Sequence, residues 1–326
     1  MKQLFSILLI VAVVVVATMA HAQQTGKVPR IGFLDNSTAS GMAVLVDAFR
    51  QEMRKLGWIE GKNIAIEYRF AENKSQQRLP ELAADLVRLK VDLIVASGTP
   101  SSLAAKSATT TIPIVMAQAG DPVGSGLVAS LARPGGNVTG LSNLSFELNT
   151  KRLEILKDAI PKLARVGLLR PAGSSDLQLK EIRPAAQALK VKLEEIETQL
   201  DAKGLESAFQ TAKQKQVGAI MPISARPFFA ERKRIVELAG KYRLPVIYFQ
   251  KEFIDEGGLM FYGVDTDDLY RRAAVYVDKI LKGAKPADLP VQQATKFEFV
   301  INLKAAKQFD LTIPPSVLAR ADKVIR

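Results

Sequence analysis

The sequence contains no cysteine and only one histidine, His21, among its 326 residues. Without cysteine there are no disulfides, no cysteine-ligated metals and no acylated cysteine to anchor a lipoprotein. His21 lies within residues 1–22, a segment that we expect to be removed from the mature protein. The mature chain therefore lacks the residues for Ser-His-Asp or Cys-His catalysis and for histidine-bound metals, and we expect no cofactor and no metal.

Long apolar runs are also scarce, and the one that approaches the length of a membrane span lies at the N-terminus. It follows the positive charge of Lys2, reads LLIVAVVVVA and is followed by the small-x-small sequence Ala20-His21-Ala22. This pattern is typical of a cleaved secretory signal peptide over residues 1–22. An uncleaved membrane anchor is the alternative, for which the run is short. Since a soluble exported protein without a lipid anchor is best retained between two membranes, we predict a periplasmic location.

The formal net charge is +12, but the sequence has no long run of charges of one sign. Basic and acidic residues are interleaved along helical stretches such as ERKRIVELAGKYR, which indicates solvated helix faces. We therefore expect no nucleic-acid partner and no membrane-binding surface. The excess of positive charge can still attract anionic ligands.

The stretch Val91–Val128 predicts how the rest of the chain is organised. It contains a strand (VDLIVAS), a turn (GTPSS), an Ala-rich helix, a second strand (IPIVMA) and a second polar turn (QAGDPVGSG). This order is the unit of a parallel α/β sheet. Both turns follow the carboxyl ends of strands, where open α/β sheets bind ligands.

Side chains in these two turns can bind a small charged ligand. Ser97 and Thr99 can cap the helix that Pro100 helps to start, and its N-terminus favours an anion such as a carboxylate. Asp121, in the second turn, can hold an amine. The alternative is that the hydroxyls only cap the helix and that Asp121 only stabilises its turn.

The second half of the chain repeats the order of the first, with little residue identity. VPRIGFL is matched by LARVGLL, DNSTASG by RPAGSSD, DLIVASG by GAIMPIS, and IPIVMAQ by LPVIYFQ. We therefore predict an α/β protein with two doubly wound parallel-sheet lobes and a ligand cleft between them. Lobe 1 comprises residues 28–141 and 263–292, lobe 2 comprises residues 142–262 and 293–326, and hinge strands join the two.

Several stretches resemble the tryptophan/tyrosine-type family of ABC-transporter substrate-binding proteins. They are VPRIGFL, SGTPSSLAAK, PIVMAQAGDPVGSGLVASLARPGGNVTG, GGLMFYGVDTDDLYRRAAVYVDKILKGAKPADLPV and FEFVINLKAAKQFDLTIPPSVLARADKVI. The resemblance implies the periplasmic binding protein type I fold and a receptor that performs no reaction. It also implies delivery of a small solute to an inner-membrane ABC permease, with which a monomer would dock.

The resemblance also implies which residues line the cleft. In the first lobe these are Asn36, Ser37, Ser97, Gly98, Thr99, Pro100, Gly120, Asp121 and Pro122. In the second lobe they are Ser174, Ser224, Arg226 and Tyr262, to which Phe249 is added as an aromatic contact.

Roles for some of these residues follow from their chemistry. Ser97, Thr99 and the helix N-terminus would hold a carboxylate, and Asp121 an ammonium or other polar group. Tyr262 and Phe249 would stack on an apolar or aromatic part of the ligand. As alternatives, Phe249 belongs to the core and Arg226 faces solvent. The ligand itself stays open between an aromatic or other amino acid and a small aromatic acid.

Two other classes of protein compete with a solute receptor. A secreted α/β enzyme acting on sugars would need two carboxylates facing each other across the cleft, and only Asp121 lies on a predicted turn at the mouth. A sensor ectodomain would need a membrane span and a signalling domain, and no such segment follows the second lobe.

Overall fold

The computed structural model describes residues 28–72 and 78–326, with the exception of the side chain of Arg226. The predicted signal peptide, residues 1–22, lies outside these ranges. The strands are β1 Arg30–Asp35, β2 Ala65–Phe70, β3 Leu93–Ser97, β4 Ile114–Ala119, β5 Val138–Ser142, β6 Arg165–Pro171, β7 Lys192–Thr198, β8 Ala219–Pro222, β9 Ile247–Tyr248, β10 Met260–Val264, β11 Gln292–Gln293, β12 Phe297–Asn302 and β13 Lys323–Ile325.

Helices connect most of these strands, and short 3-10 turns at Asp176–Gln178 and Pro286–Asp288 supplement them. The helices are α1 Ala39–Lys55, α2 Arg78–Arg88, α3 Gly98–Ala108, α4 Ser145–Ala159, α5 Leu179–Ala188, α6 Ala202–Gln214, α7 Arg226–Ala230, α8 Arg232–Tyr242, α9 Glu252–Asp255, α10 Thr266–Leu281, α11 Leu303–Gln308 and α12 Pro315–Leu318. None of the helices in the described ranges is long and apolar enough to cross a bilayer.

The first sheet has the strand order β11-β5-β4-β3-β1-β2, and every described pairing in it is parallel. All residues of β3, β4 and β5 are buried, as expected for parallel strands covered on both faces. Successive residues along a strand of this sheet point to opposite faces, and each face has its own apolar core. Phe33 and Val95 pack with α1 and α10, whereas Leu34 and Ala96 pack with α2 and α3.

The second sheet consists of two parts that lie side by side. The first part has the order β7-β6-β8 and the second β13-β12-β10-β9. A single parallel bridge between Ile220 and Val246 links them, and one apolar cluster spans both parts. Only β10 and β12 pair antiparallel among the described strands of this sheet. The predicted α/β class with doubly wound parallel sheets is therefore confirmed.

The chain passes between the two sheets at three places in the described part. It leaves the first sheet after β5 and enters α4, which belongs to the core of the second. It returns between β10 and α10, because α10 packs in the core of the first sheet. It leaves again between β11, which pairs with β5, and β12, which pairs with β10. These changes of sheet support the division into lobes that we propose.

The core of the first sheet therefore joins residues far apart in sequence. Helix α10 packs against α1, and the indole nitrogen of Trp58 donates a hydrogen bond to Asp278 Oδ1 at 2.9 Å, across 220 positions. Trp58 thus packs within the fold.

Candidate functional site

A cavity of about 230 Å³ lies between the two sheets, at the carboxyl ends of their strands. Its size is below the roughly 300–1,000 Å³ of sites for drug-sized ligands, so it suits a small solute. The predicted site residues that line it are Asn36, Ser97, Gly98, Thr99, Pro100, Gly120, Ser174, Ser224 and Phe249. The structure thus places residues from both halves of the sequence repeat around one space, where open α/β sheets bind ligands.

Four predicted residues do not line this cavity. The Asp121 carboxylate accepts a hydrogen bond from Gly124 N at 2.8 Å and so closes its own turn. The Pro122 carbonyl accepts from the N–H groups of Leu127 and Val128 in the same turn. This placement agrees with the alternative in which Asp121 stabilises the turn, and a contact of the aspartate with a ligand stays a prediction.

Ser37 and Tyr262 are the other two predicted site residues that do not line the cavity. Ser37 is fully buried beside the start of α1, and its N–H donates to Asp35 Oδ1 at 2.5 Å. The Tyr262 ring is partly buried, packs edge to face on Phe299 with centroids 6.1 Å apart and contacts the apolar clusters of both sheets. The side chain of Arg226, the last predicted residue, lies outside the described part of the structure.

The turn that begins α3 is held by hydrogen bonds that the sequence does not reveal. Gly98 has a φ of +82°, a conformation that favours glycine. The Ser97 hydroxyl does not cap the helix but shares a hydrogen bond with the Tyr270 hydroxyl. Thr99 Oγ1 accepts from Gly120 N at 3.0 Å, which joins the two predicted turns. Since this bond uses a lone pair, the Thr99 hydroxyl hydrogen remains able to bind a ligand oxygen.

The principal residue that sequence reasoning missed is Arg152, in α4. Its side chain is only 2% exposed and lines the cavity. Its Nε donates to the Tyr262 carbonyl at 2.6 Å, and its Nη1 donates to Asn149 Oδ1 at 2.7 Å and to Ser224 Oγ at 2.9 Å. These bonds leave Nη2 without a partner in the described residues.

The guanidinium of Arg152 lies within 4 Å of no carboxylate in the described part of the chain. Burial therefore lowers its pKa to about 9, an effect that the nearby Tyr262 partly opposes. A buried cation without an anionic partner is costly. A ligand carboxylate would supply that partner.

A polar network holds Arg152 in place. Gln178 Oε1 accepts from Asn149 Nδ2 at 2.7 Å and from Ser224 N at 3.2 Å, while Gln178 Nε2 donates to the Ser224 carbonyl at 3.0 Å. The Ser224 hydroxyl also lies 3.3 Å from Asn149 Oδ1. Ser224 therefore links the guanidinium of Arg152 to Gln178 and Asn149.

Ser174 is held by a second buried arginine, Arg170. The Arg170 guanidinium donates to Ser174 Oγ at 3.2 Å and to the Ser174 carbonyl at 2.6 Å. Unlike Arg152, it is surrounded by carboxylates, the nearest of which is Asp176 at 2.8 Å. Arg170 thus shapes the wall of the cavity, and its charge is already neutralised.

Three amide side chains bring further polar atoms to the cavity. Asn36, Gln118 and Gln250 are all buried and all line it. Asn36 Oδ1, Gln118 Nε2 and Gln250 Oε1 have no hydrogen-bond partner in the described ranges. Buried polar atoms normally have partners, so these amides are ready to bind polar groups of a ligand.

Helix ends add a partial positive charge to the same space. The first residues of α3 and α4 line the cavity. No side chain caps α3, whereas in α4 the N–H of Ser145 donates to Asn143 Oδ1 at 3.0 Å and the following N–H groups have no side-chain cap. Their N-terminal N–H groups and dipoles favour an anion. Apolar residues, including Phe146 and Phe249, form much of the remaining wall. The site can therefore contact both a carboxylate and an apolar group of one ligand.

Comparisons with known proteins agree with this arrangement. A sequence profile described as ABC transporter substrate binding protein matches residues 34–325. The chain is 30% identical to a tyrosine-binding protein of Clostridioides difficile over 277 aligned residues. The aligned region covers 81% of this chain and 75% of that protein.

Solved structures are also similar. A conserved domain protein from Vibrio cholerae has a TM-score of 0.83 and 29% identity, covering 91% of this chain and 100% of that one. An ABC domain from Streptococcus pneumoniae, in complex with L-Trp, has a TM-score of 0.79 and 27% identity, covering 90% of this chain and 100% of the other.

Proposed function

Because the chain belongs to the ABC transporter substrate binding protein family, we propose that it is the receptor of an importer and carries a small organic carboxylate between its two lobes. The family and its solved neighbours are substrate-binding proteins and not enzymes, so the alternative of a secreted enzyme is set aside. The fold is that of type I periplasmic binding proteins. The protein works with an ABC permease, as its family does.

We infer the class of ligand from the charge of the cavity wall. Arg152 is buried, lines the cavity and has no carboxylate partner in the described chain, and its hydrogen bonds use only Nε and Nη1. A carboxylate bound there forms charge-assisted hydrogen bonds and neutralises a buried charge. The N-termini of α3 and α4 and the Thr99 hydroxyl provide further donors. Tyrosine and tryptophan, which the relatives' names mention, both carry a carboxylate.

The proposal includes where the receptor works. Residues 1–22 would direct export and be removed, which leaves a soluble monomer in the periplasm that docks on an inner-membrane permease. The pattern of Lys2, the apolar run and Ala20-His21-Ala22 supports export.

A thermal-shift screen tests the ligand class. Amino acids, aromatic acids, sugars, amines and metal salts are added to the purified protein, and the melting temperature is measured. A carboxylate at about a hundred times its dissociation constant should add about 2.7 kcal/mol of stability, which raises the melting temperature by several degrees. Stabilisation by sugars alone, or conversion of any compound into product, would contradict the proposal.

The affinity for the carboxylate is also expected to depend on pH. Since burial lowers the pKa of Arg152 to about 9, the ligand-free protein loses this charge as the pH rises through that value. The dissociation constant should be constant between about pH 6 and pH 8 and then rise by up to about tenfold per pH unit. Calorimetry across this range measures it, with the neutral amide of the same ligand as control. A carboxylate affinity that is unchanged at pH 10.5 would contradict this role of Arg152.

A further inference from the structure

Two small residues meet where the lobes touch each other away from the three places at which the chain passes between the sheets. We infer that Gly41 of α1 and Ala230 of α7 form the rim contact at which the lobes separate to admit and release the ligand. The small size of both residues then sets how far the lobes close. The inference rests on the proposed function, because it takes the cavity to be the ligand site.

The rim contact joins helices that belong to different cores. Helix α1 packs in the apolar core of the first sheet and α7 in that of the second, and the two helices contact each other. Gly41, in the first turn of α1, is buried. A Cβ added to Gly41 would lie 3.5 Å from the Cβ of Ala230, which is ordinary van der Waals contact. A side chain longer than a methyl group therefore has little room at either position.

The strand order separates the rim contact from the crossings between the sheets. In the first sheet, β1 leads into α1, and β3 and β4 lie between β1 and β5, after which the chain leaves. Three strand spacings amount to about 14 Å. In the second sheet, β8 leads into α7 and is linked through β9 to β10, from which the chain returns. A hinge rotation of the lobes about the crossings must therefore break the contact of α1 with α7.

The cavity lies between the crossings and the rim contact. Val264 and Thr266, where the chain returns from the second sheet to the first, line it on one side. Asn36, which shortly precedes α1, and Ala225 and Pro227, at the start of α7, line it on the other. The chain itself closes the side of the crossings, so separation of α1 from α7 opens the way into the cavity.

Gly41 and Ala230 act on the closed arrangement of the lobes and not on the ligand, because neither of them lines the cavity. A ligand that contacts both lobes binds the closed arrangement better than the open one. Its affinity therefore falls when the closed arrangement is made less favourable. A larger side chain at the rim should weaken binding although it removes no contact with the ligand.

The absence of cysteine from the chain allows a direct test with the double variant Gly41→Cys/Ala230→Cys. The 3.5 Å between the two Cβ positions matches the roughly 3.5–4.5 Å that a disulfide spans, and no other thiol competes. The purified variant is loaded with radiolabelled L-tyrosine, L-tryptophan or the tightest carboxylate of the thermal-shift screen, and is then oxidised. We expect oxidation to slow dissociation of the bound compound by about a hundredfold or more, and a reductant to restore it. The two single-cysteine variants, treated in the same way, are the controls.

The variant Ala230→Leu tests the size limit without a disulfide. It also leaves Gly41 unchanged, where an added Cβ would lie 2.9 Å from the Ser37 hydroxyl and require it to rotate. Leucine should raise the dissociation constant of the same compound by about tenfold. The melting temperature of the ligand-free protein should stay nearly unchanged, since the larger side chain finds space when the lobes separate. Ala188→Leu, at the exposed end of α5, is the matched control and should alter neither quantity.

The outcomes separate this inference from the proposed function. Thiols that do not join in the folded, loaded double variant would overturn the contact. Equal dissociation rates before and after oxidation would overturn the rim as the exit of the ligand and leave the carboxylate receptor standing. An unaltered affinity in Ala230→Leu would overturn the size limit. If no carboxylate binds even to the unaltered protein, the proposed function itself fails.

Discussion

Replacing Arg152 with glutamine is expected to weaken carboxylate binding by about a hundredfold or more. Arg152 is the charged side chain of the described cavity wall, and loss of one partner of a buried charge pair costs about 2–5 kcal/mol. Glutamine keeps a hydrogen-bond donor near the Tyr262 carbonyl and removes the charge. Calorimetry on the variant and the unaltered protein, with the tightest carboxylate of the screen, measures the difference.

Controls for this variant separate binding from folding. Lys151, the preceding residue of α4, is exposed and pairs with Glu154 at 2.8 Å, so Lys151→Gln removes one positive charge without touching the cavity. It should leave the affinity unchanged. Arg152→Lys keeps the charge and should retain part of the affinity. A folded Arg152→Gln protein with unaltered affinity would show that the anion binds elsewhere.

The substitution Gly140→Ala is expected to destabilise the protein by about 4 kcal/mol or more. Gly140 lies in β5 with a φ of +130°, and an added Cβ would lie 2.3 Å from the carbonyl oxygen of Met116 and 2.6 Å from its nitrogen. These are backbone atoms of the neighbouring strand, so no side-chain rotation relieves the clash. The strand β4 would have to move, and with it Gln118 and Gly120, which line the cavity.

Gly136→Ala is the matched control for this prediction. An added Cβ at Gly136 meets nothing within 4 Å, so the free energy of unfolding should change by no more than about 0.5 kcal/mol. Urea denaturation followed by circular dichroism compares both variants with the unaltered protein. Equal unfolding midpoints for Gly140→Ala and Gly136→Ala would contradict the described packing of β5 on β4.

Much of the fold follows from the sequence because parallel strands and amphipathic helices have strong, local patterns. The apolar runs around VDLIVAS and IPIVMA correspond to β3 and β4, and each is followed by a turn at the cavity. The repeat of strands and turns in the second half predicts a second set of lining residues, and Ser174, Ser224 and Phe249 of that half line the cavity. These features depend on period and length, which are properties of short segments.

The candidate site was only partly predictable because direction and partner choice depend on tertiary packing. Arg152 lies in the basic sequence KRLEILKD and looks like one more residue of a solvated helix face. Only the packing of α4 against the second sheet turns it inward. For the same reason, the sequence does not reveal that Asp121 Oδ1 accepts a hydrogen bond from Gly124 N within its own turn.

One signal in the sequence could have identified two of the missed residues. The matched stretches IPIVMAQ and LPVIYFQ both end in glutamine. These residues, Gln118 and Gln250, contribute buried amides to the same cavity from opposite halves of the repeat. Comparing the halves residue by residue at strand ends, rather than only by element order, would have placed them in the site.

The late position of α10 in the chain affects the order in which the protein can fold during synthesis. One face of the first sheet is covered by Tyr270, Ala273 and other residues of α10, which leave the ribosome long after the strand that contains Phe33. Until then, that face is covered only in part, by residues of α1 such as Leu45 and Phe49. We therefore expect the nascent chain to stay incompletely folded until Thr266–Leu281 has emerged.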